Sequence, residues 1–161
     1  FYIKNCLSSG GKWYKVGDIM AGYRFWGHFQ HTLDSKNRVA IPAKFRQQIT
    51  DGKVVVVEFF DGCLAVYPAV EFESFAKREL EGLSPIDGRH NRDVGRMLYG
   101  SVHDCDLDRQ GRISLTQHLL DLGGISKEVV FKGVNDRFEI WDRQRWEEYQ
   151  AAYKQQEEAG E

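Results

Sequence analysis

From Tyr23 onward apolar and polar positions alternate through "YRFWGHFQHTL", the period of a strand with one buried face. A polar turn, "DSKN", leads into a short strand, "RVAI", and Pro42 at a helix N1 position opens a brief helix, "PAKFRQQI". "KVVVVEFF" reads as a buried strand, Asp61-Gly62 as a hairpin turn and "CLAVYP" as the returning strand. In "AVEFESFAKRELEGL" Phe72, Phe75 and Leu80 fall on one face of an amphipathic helix. "SPIDGR" is a linker, and "HNRDVGRMLY" a helix that feeds a second series beginning with "YGSVHDC", read as a strand. A turn at "DRQG", strand "RISL", helix "TQHLLDLG", strand "EVVFKGV", turn "ND", strand "RFEIW" and helix "DRQRWEEYQAAYKQQEE" complete that series.

The order of elements repeats because the sequence does. "LDSKNRVAIP" at Leu33 faces "LDRQGRISLT" at Leu107, an offset of 74 (107 − 33) that continues without a gap. Lys53 then falls on Lys127, Val55 and Val56 on Val129 and Val130, Leu64 on Phe138, Val66 on Ile140, and Phe72 on Trp146. One copy would hardly bury its own sheet. Two pseudo-symmetric copies predict an α+β chain closing into one small barrel, with helices at its periphery. The first unit is read as 24–82, a linker and connecting helix as 83–97, the second unit as 98–153 and an acidic tail as 154–161. Residues 1–19 share nothing with the repeat, and Met20 looks like a natural start, so 1–19 is expected to be a non-native leader.

"DLDRQGRIS" invites a calcium reading: Asp106, Asp108 and Gln110 fall at positions 1, 3 and 5 of an EF-hand, with Gly111 at its glycine. The bidentate glutamate of position 12 is replaced by Gln117, and the first copy places Lys36 at a ligand position. An ammonium cannot ligate calcium, so the sequence predicts a tight turn and no metal.

Composition narrows the classes further. No apolar run approaches a membrane span, and no basic stretch leads into an apolar one, so a secretory signal is not expected. Cys6, Cys63 and Cys105 are odd in number and lack metal spacing, which suggests reduced thiols in a cytosol; Cys63 and Cys105 read as small core residues. The formal net charge of −2 decides nothing about nucleic acid, but its distribution does. Lys36, Arg38, Lys44 and Arg46 occur with no acid between them, whereas Asp142 to Glu161 holds six acids against three bases. Of the five histidines only His103 sits among acids (Asp104, Asp106), with no second histidine at ligand spacing. No nucleophile elbow, phosphate loop or paired catalytic carboxylates stand out, so neither catalytic residues nor a cofactor nor a small-molecule substrate is expected. Trp141, Trp146, Tyr149 and Tyr153 are read as packing residues of the last helix.

"HTLDSKNRVAIPAKFR" and "CDLDRQGRISL" resemble the paired Asp-x-x-x-Arg signatures of the MraZ family, bacterial transcriptional regulators built from two AbrB-like swapped-hairpin repeats. The likeness runs from Phe25 to the final helix and includes "LAVYP" and "FEIWDRQRWEEY". The family's opening Met-Phe-x-Gly is met here by Phe25-Trp26-Gly27. Asn37 stands where the motif has Gly, and Asn also tolerates the left-handed turn. Pro42 has no twin, Thr116 standing in its place. The resemblance implies sequence-specific binding of double-stranded DNA beside the family's own division and cell-wall operon. It also implies a cytoplasmic, nucleoid-associated protein. Asp34 and Asp108 carry over as signature residues that hold the turns, with Asn37 and Gly111 at the corners. Arg38 and Arg112 are expected either to present a planar fork to guanine or phosphate, or to pair with their own aspartates. Lys36 and Arg109 suit phosphate contacts or are simply exposed charges, and Lys44 and Arg46 on the short helix admit both readings. Non-identical repeats allow head-to-tail contacts that close into a ring-like homo-oligomer. The alternative is a ring-forming scaffold of the same fold without DNA binding.

Overall fold

The computed structural model describes residues 2–4, 13–15 and 25–159. Two short strands, β1 (Tyr2–Lys4) and β2 (Trp13–Lys15), pair antiparallel. The expected leader and start at Met20, and Cys6, otherwise lie outside the described residues. The first repeat runs β3 (His28–Thr32), β4 (Arg38–Ala40), α1 (Ala43–Arg46), β5 (Lys53–Glu58), β6 (Leu64–Pro68) and α2 (Ala69–Leu80). A connecting helix, α3 (Arg89–Gly100), leads to β7 (His103–Asp106), β8 (Arg112–Ser114), α4 (Gln117–Gly123), β9 (Glu128–Gly133), β10 (Phe138–Asp142) and α5 (Arg143–Ala159).

The repeats exchange strands. Six strands form one antiparallel sheet in the order β3-β9-β10-β6-β5-β7, and β4 pairs with β8 in a separate ribbon. The first strand of each copy thus lies at the edge of its partner's hairpin. The register places equivalent residues opposite each other at two points: Val39 faces Ile113, and Ala65 faces Glu139. Both pairs differ by the repeat offset of 74, so a local twofold relation passes through them.

The gapless offset is corrected at one strand in each copy. β5 and β9 are related by 75 residues (128 − 53), and burial shows why. Val54 and Val56 share the central core with Val129 and Phe131, whereas Val55 and Val57 face the opposite side. A one-residue slip in a strand turns every side chain to the other face, so the buried face and not sequence identity sets the match. The second copy restores the offset by joining β9 to β10 through 134–137, against 59–63 between β5 and β6. In the longer connection Asp61 (φ 65°) and Gly62 (φ 80°) make the expected turn.

The central core lies between the sheet and the β4–β8 ribbon, and α1 and α4 complete it through Phe45, Leu119 and Leu120. Phe45 is fully buried, edge-on to Phe25 and Phe29 and stacked on Phe138 at 4.9 Å. Burying a side chain of this size stabilises by about 1.5–3 kcal/mol. On the other sheet face Tyr67, Phe72 and Ala76 form a second cluster with Phe75 and Leu98, joining α2 and α3; the Leu80 side chain lies outside the described residues. Cys63, Val130 and Trp141 pack with Trp146 of α5. Burial pushes the Cys63 thiol up and the Cys105 thiol up to about 11, so neither is a ready thiolate.

Three local expectations shift. "YGSVHDC" is not one strand: Tyr99 and Gly100 end α3, and β7 begins at His103. Pro42 is the N-cap of α1 and not its first turn, its carbonyl accepting from the N–H groups of Phe45 and Arg46. Tyr153 is 54% exposed and donates to Glu157 at 2.6 Å, so it does not pack, unlike Trp141, Trp146 and Tyr149. As expected, the second helix starts differently: the Thr116 hydroxyl accepts from Leu119 N–H at 3.3 Å. None of the described helices is long and apolar enough to cross a membrane.

Candidate nucleic-acid interface

Both signature turns are built from one aspartate outward. Asp34 Oδ1 accepts the backbone N–H of Lys36 at 2.8 Å and of Arg38 at 2.9 Å. Asp108 Oδ1 does the same for Gln110 and Arg112, both at 2.9 Å. The chain reverses at a left-handed residue, Asn37 (φ 56°) in one turn and Gly111 (φ 72°) in the other. Each turn closes back to back: Asp34 N–H donates to Arg38 O, and Asp108 N–H to Arg112 O, at 2.9 Å. Asp therefore supplies the bonds that a four-residue turn cannot make for itself.

The arginines are held by the same carboxylates. Arg38 Nε donates to Asp34 Oδ2 at 2.7 Å, and Arg112 Nε to Asp108 Oδ2 at 2.8 Å. The intramotif pairing is thus formed in both copies, and bonding through Nε leaves the two Nη groups for other partners. One of these, Arg112 Nη1, lies 3.5 Å from Asp34 Oδ2, linking the two motifs. Further links are backbone bonds: Ile41 N–H to Gly111 O at 3.0 Å and Leu115 N–H to Asn37 O at 2.9 Å. A ribbon of two three-residue strands thereby sets both turns beside each other.

The remaining cations divide. Lys36 and Arg109 are exposed at the turns. Lys44 is also exposed, with Nζ 4.6 Å above the Trp26 ring, a cation–π contact. Arg46 is half-buried and donates from Nη1 to Gln110 O at 2.8 Å, so it reaches from the first repeat to the second turn. Nothing in the spacing of Arg46 and Gln110 signals that contact; it arises only because β4 and β8 pair.

Backbone N–H donation by Arg38 and Arg112, joined by their guanidinium bonds, holds the Asp34 and Asp108 carboxyls below the usual carboxylate range. A carboxyl whose folded value lies below its unfolded value of about 3.9 contributes its stabilisation above that value and loses it as pH falls through the folded one. Both turns should therefore stay ordered at pH 5 and open only in stronger acid. Carboxyl chemical shifts followed from pH 6 to pH 2 should give midpoints below about 3.9 for both residues. Ordinary or raised midpoints would show that the carboxylates do not hold the turns.

The same bonds bear on calcium. Both Asp108 oxygens are committed to the turn's own N–H groups and guanidinium. Among the described residues no group of three or more His, Cys, Asp or Glu side chains is placed to hold a metal. Calorimetry is expected to find no micromolar calcium site at Asp106–Gln117, and heat from one would overturn this reading of the turn. The structure does bring His103 beside His118, ring centroids 5.8 Å apart, a pairing across β7 and α4 that sequence spacing does not show.

Comparison with known proteins gives a concordant result. The family model for MraZ protein matches residues 25–91 and again 98–160, one match per repeat. A transcriptional regulator MraZ of Pediococcus pentosaceus is 43% identical over 124 residues, covering 77% of this chain and 85% of that protein. A transcriptional regulator MraZ of Roseiflexus castenholzii is 41% identical, covering 76% of this chain and 84% of its own length. That of Moorella thermoacetica is 41% identical over 78% of this chain and 85% of its own. Two signature turns, two family matches and relatives aligned over most of both chains agree: the chain belongs to the MraZ family.

Proposed function

We propose that this chain is a sequence-specific DNA-binding transcriptional regulator. It acts in the cytoplasm at the nucleoid, on the promoter of its own division and cell-wall gene cluster. The observation that carries the reading is the pair of Asp-ordered turns held side by side, each with an arginine anchored through Nε and an exposed cation beside it. Such an arginine needs little further ordering to meet a guanine edge or a phosphate, and Lys36 and Arg109 supply phosphate contacts. Lys44 extends the basic surface along α1, where Arg46 reaches across to the second turn. The names of the relatives support regulation of transcription. The sheet and ribbon share one core and form a small pseudo-twofold barrel, and ring-like homo-oligomers of it bind tandem short boxes.

A second reading has its own support. Both arginines already have carboxylate partners, and the net charge is −2. A ring-forming scaffold without DNA binding fits those two facts. Selection from a pool of random duplexes separates the two readings: a recurrent short motif, retained in a salt-dependent manner, is expected. A pool that returns no motif would favour the scaffold.

A further inference from the structure

Two turns built to one plan carry different residues at their left-handed corner, Asn37 and Gly111. The backbone conformation does not require the difference, since Asn tolerates it. The neighbours do. Arg46 crosses from α1 to donate to the Gln110 carbonyl at 2.8 Å. Its side chain also occupies the place where a Cβ on Gly111 would stand, so any residue but glycine there would meet Arg46 Cδ and Nη1. The equivalent of Arg46 in α4, at the offset of 74, is Leu120, which is 5% exposed and belongs to the central core. The first turn therefore bears a side chain at its corner freely, whereas the second can do so only if Arg46 moves aside.

We infer that Arg46 is a positioning residue for DNA recognition by the second turn and makes no DNA contact of its own. It rests on the DNA-binding reading above and changes the part played by one of its cations. Arg46 fastens the carbonyl of Gln110, between Arg109 and Arg112, and covers Gly111. That fixes the direction in which Arg112 leaves the turn. The first turn has Asn37 at the corresponding corner and Leu120 at the corresponding helix position, so the two turns are held by different means. Recognition by a protomer is accordingly unequal: each turn takes a backbone bond from the other repeat, and the second is clamped by a side chain of α1 as well.

The test uses the full chain, an operator recovered by selection, and a random duplex of the same length. Arg46→Ala is expected to lower the preference for operator over random DNA roughly tenfold, within the range for one misplaced base contact, while random-duplex affinity and its salt dependence stay unchanged. Gly111→Asn, which copies the corner of the first turn, should displace the guanidinium and lose a similar preference. The two changes together should cost no more than either alone, because they break one contact. Should Arg46→Ala melt well below the wild type, Gly111→Asn carries the test, since it leaves α1 intact. A salt slope smaller by about 0.9 in Arg46→Ala would mark Arg46 as a direct phosphate contact and overturn the inference. Additive losses in the double variant would overturn it too. Full preference retained in Arg46→Ala overturns this inference alone, whereas a wild-type chain with no operator preference overturns the DNA-binding reading and this one with it.

Discussion

Arg38→Ala and Arg112→Ala are each expected to lose most operator binding while the chain stays folded. The fold survives because the turns do not depend on the guanidinium. With Arg38 truncated, Asp34 still accepts the backbone N–H groups of Lys36 and residue 38, and the same holds for Asp108 in the second turn. The affinity falls because a bidentate guanine contact is worth about 1–3 kcal/mol. Two protomers engaged on one duplex double that to about 2–6 kcal/mol, roughly 30-fold to over 10⁴-fold in Kd. Fluorescence anisotropy with labelled operator reads the loss, and thermal melting confirms the fold. Wild-type affinity in both folded variants would leave the carboxylate pairing of these arginines as their whole role and sink their assignment as DNA contacts.

Inserting about 5 bp between two boxes spaced one helical turn apart should cost most of the binding, although every base contact remains available. One protomer offers few cations, and a handful of phosphate contacts gives a Kd of only about 10⁻⁴–10⁻⁶ M at physiological salt. Joining protomers raises avidity about 10²–10⁴-fold, provided that their turns face the same side of the duplex. Half a helical turn moves one box to the opposite side and removes that gain. Gel-shift titrations of spaced and respaced operators measure it, with sedimentation to give the subunit number. A monomer that binds one box as tightly as two would end the assembly argument.

Much of this architecture is legible in the sequence, and the exceptions have physical reasons. The two Asp-x-x-x-Arg motifs mark the turns because a left-handed corner after an aspartate has few other solutions. Alternation marks β3, the Asp61-Gly62 turn marks the start of β6, and Asn37 adopts the left-handed corner that its place in the motif predicts. Period alone says which residues form a strand and nothing about its partner, so the pairing of β3 with β9 and of β7 with β5 is seen only in the folded chain. The one-residue shift between β5 and β9 escaped for a related reason: in a run of four valines either register looks apolar. Of the basic residues, those in the turns stand where the motif puts them. Arg46 does not disclose its reach to Gln110, because that contact joins residues 64 apart through a ribbon formed by both repeats.

The exchange of strands also sets a timetable for biosynthesis. His28 of β3 lies opposite Lys132 of β9, 104 residues later in the chain. At about 5–20 residues per second, the ribosome takes roughly 5–20 s to deliver that partner. Meanwhile β6 waits without β10, although its Leu64, Ala65 and Val66 are wholly buried in the finished sheet. A nascent first half therefore presents an open apolar edge that a neighbouring nascent chain can reach before its own second half has been made. Closely spaced ribosomes on one message invite such crossed pairing, and a pause after β6 would lengthen the exposure whereas rapid decoding through β9 and β10 would shorten it.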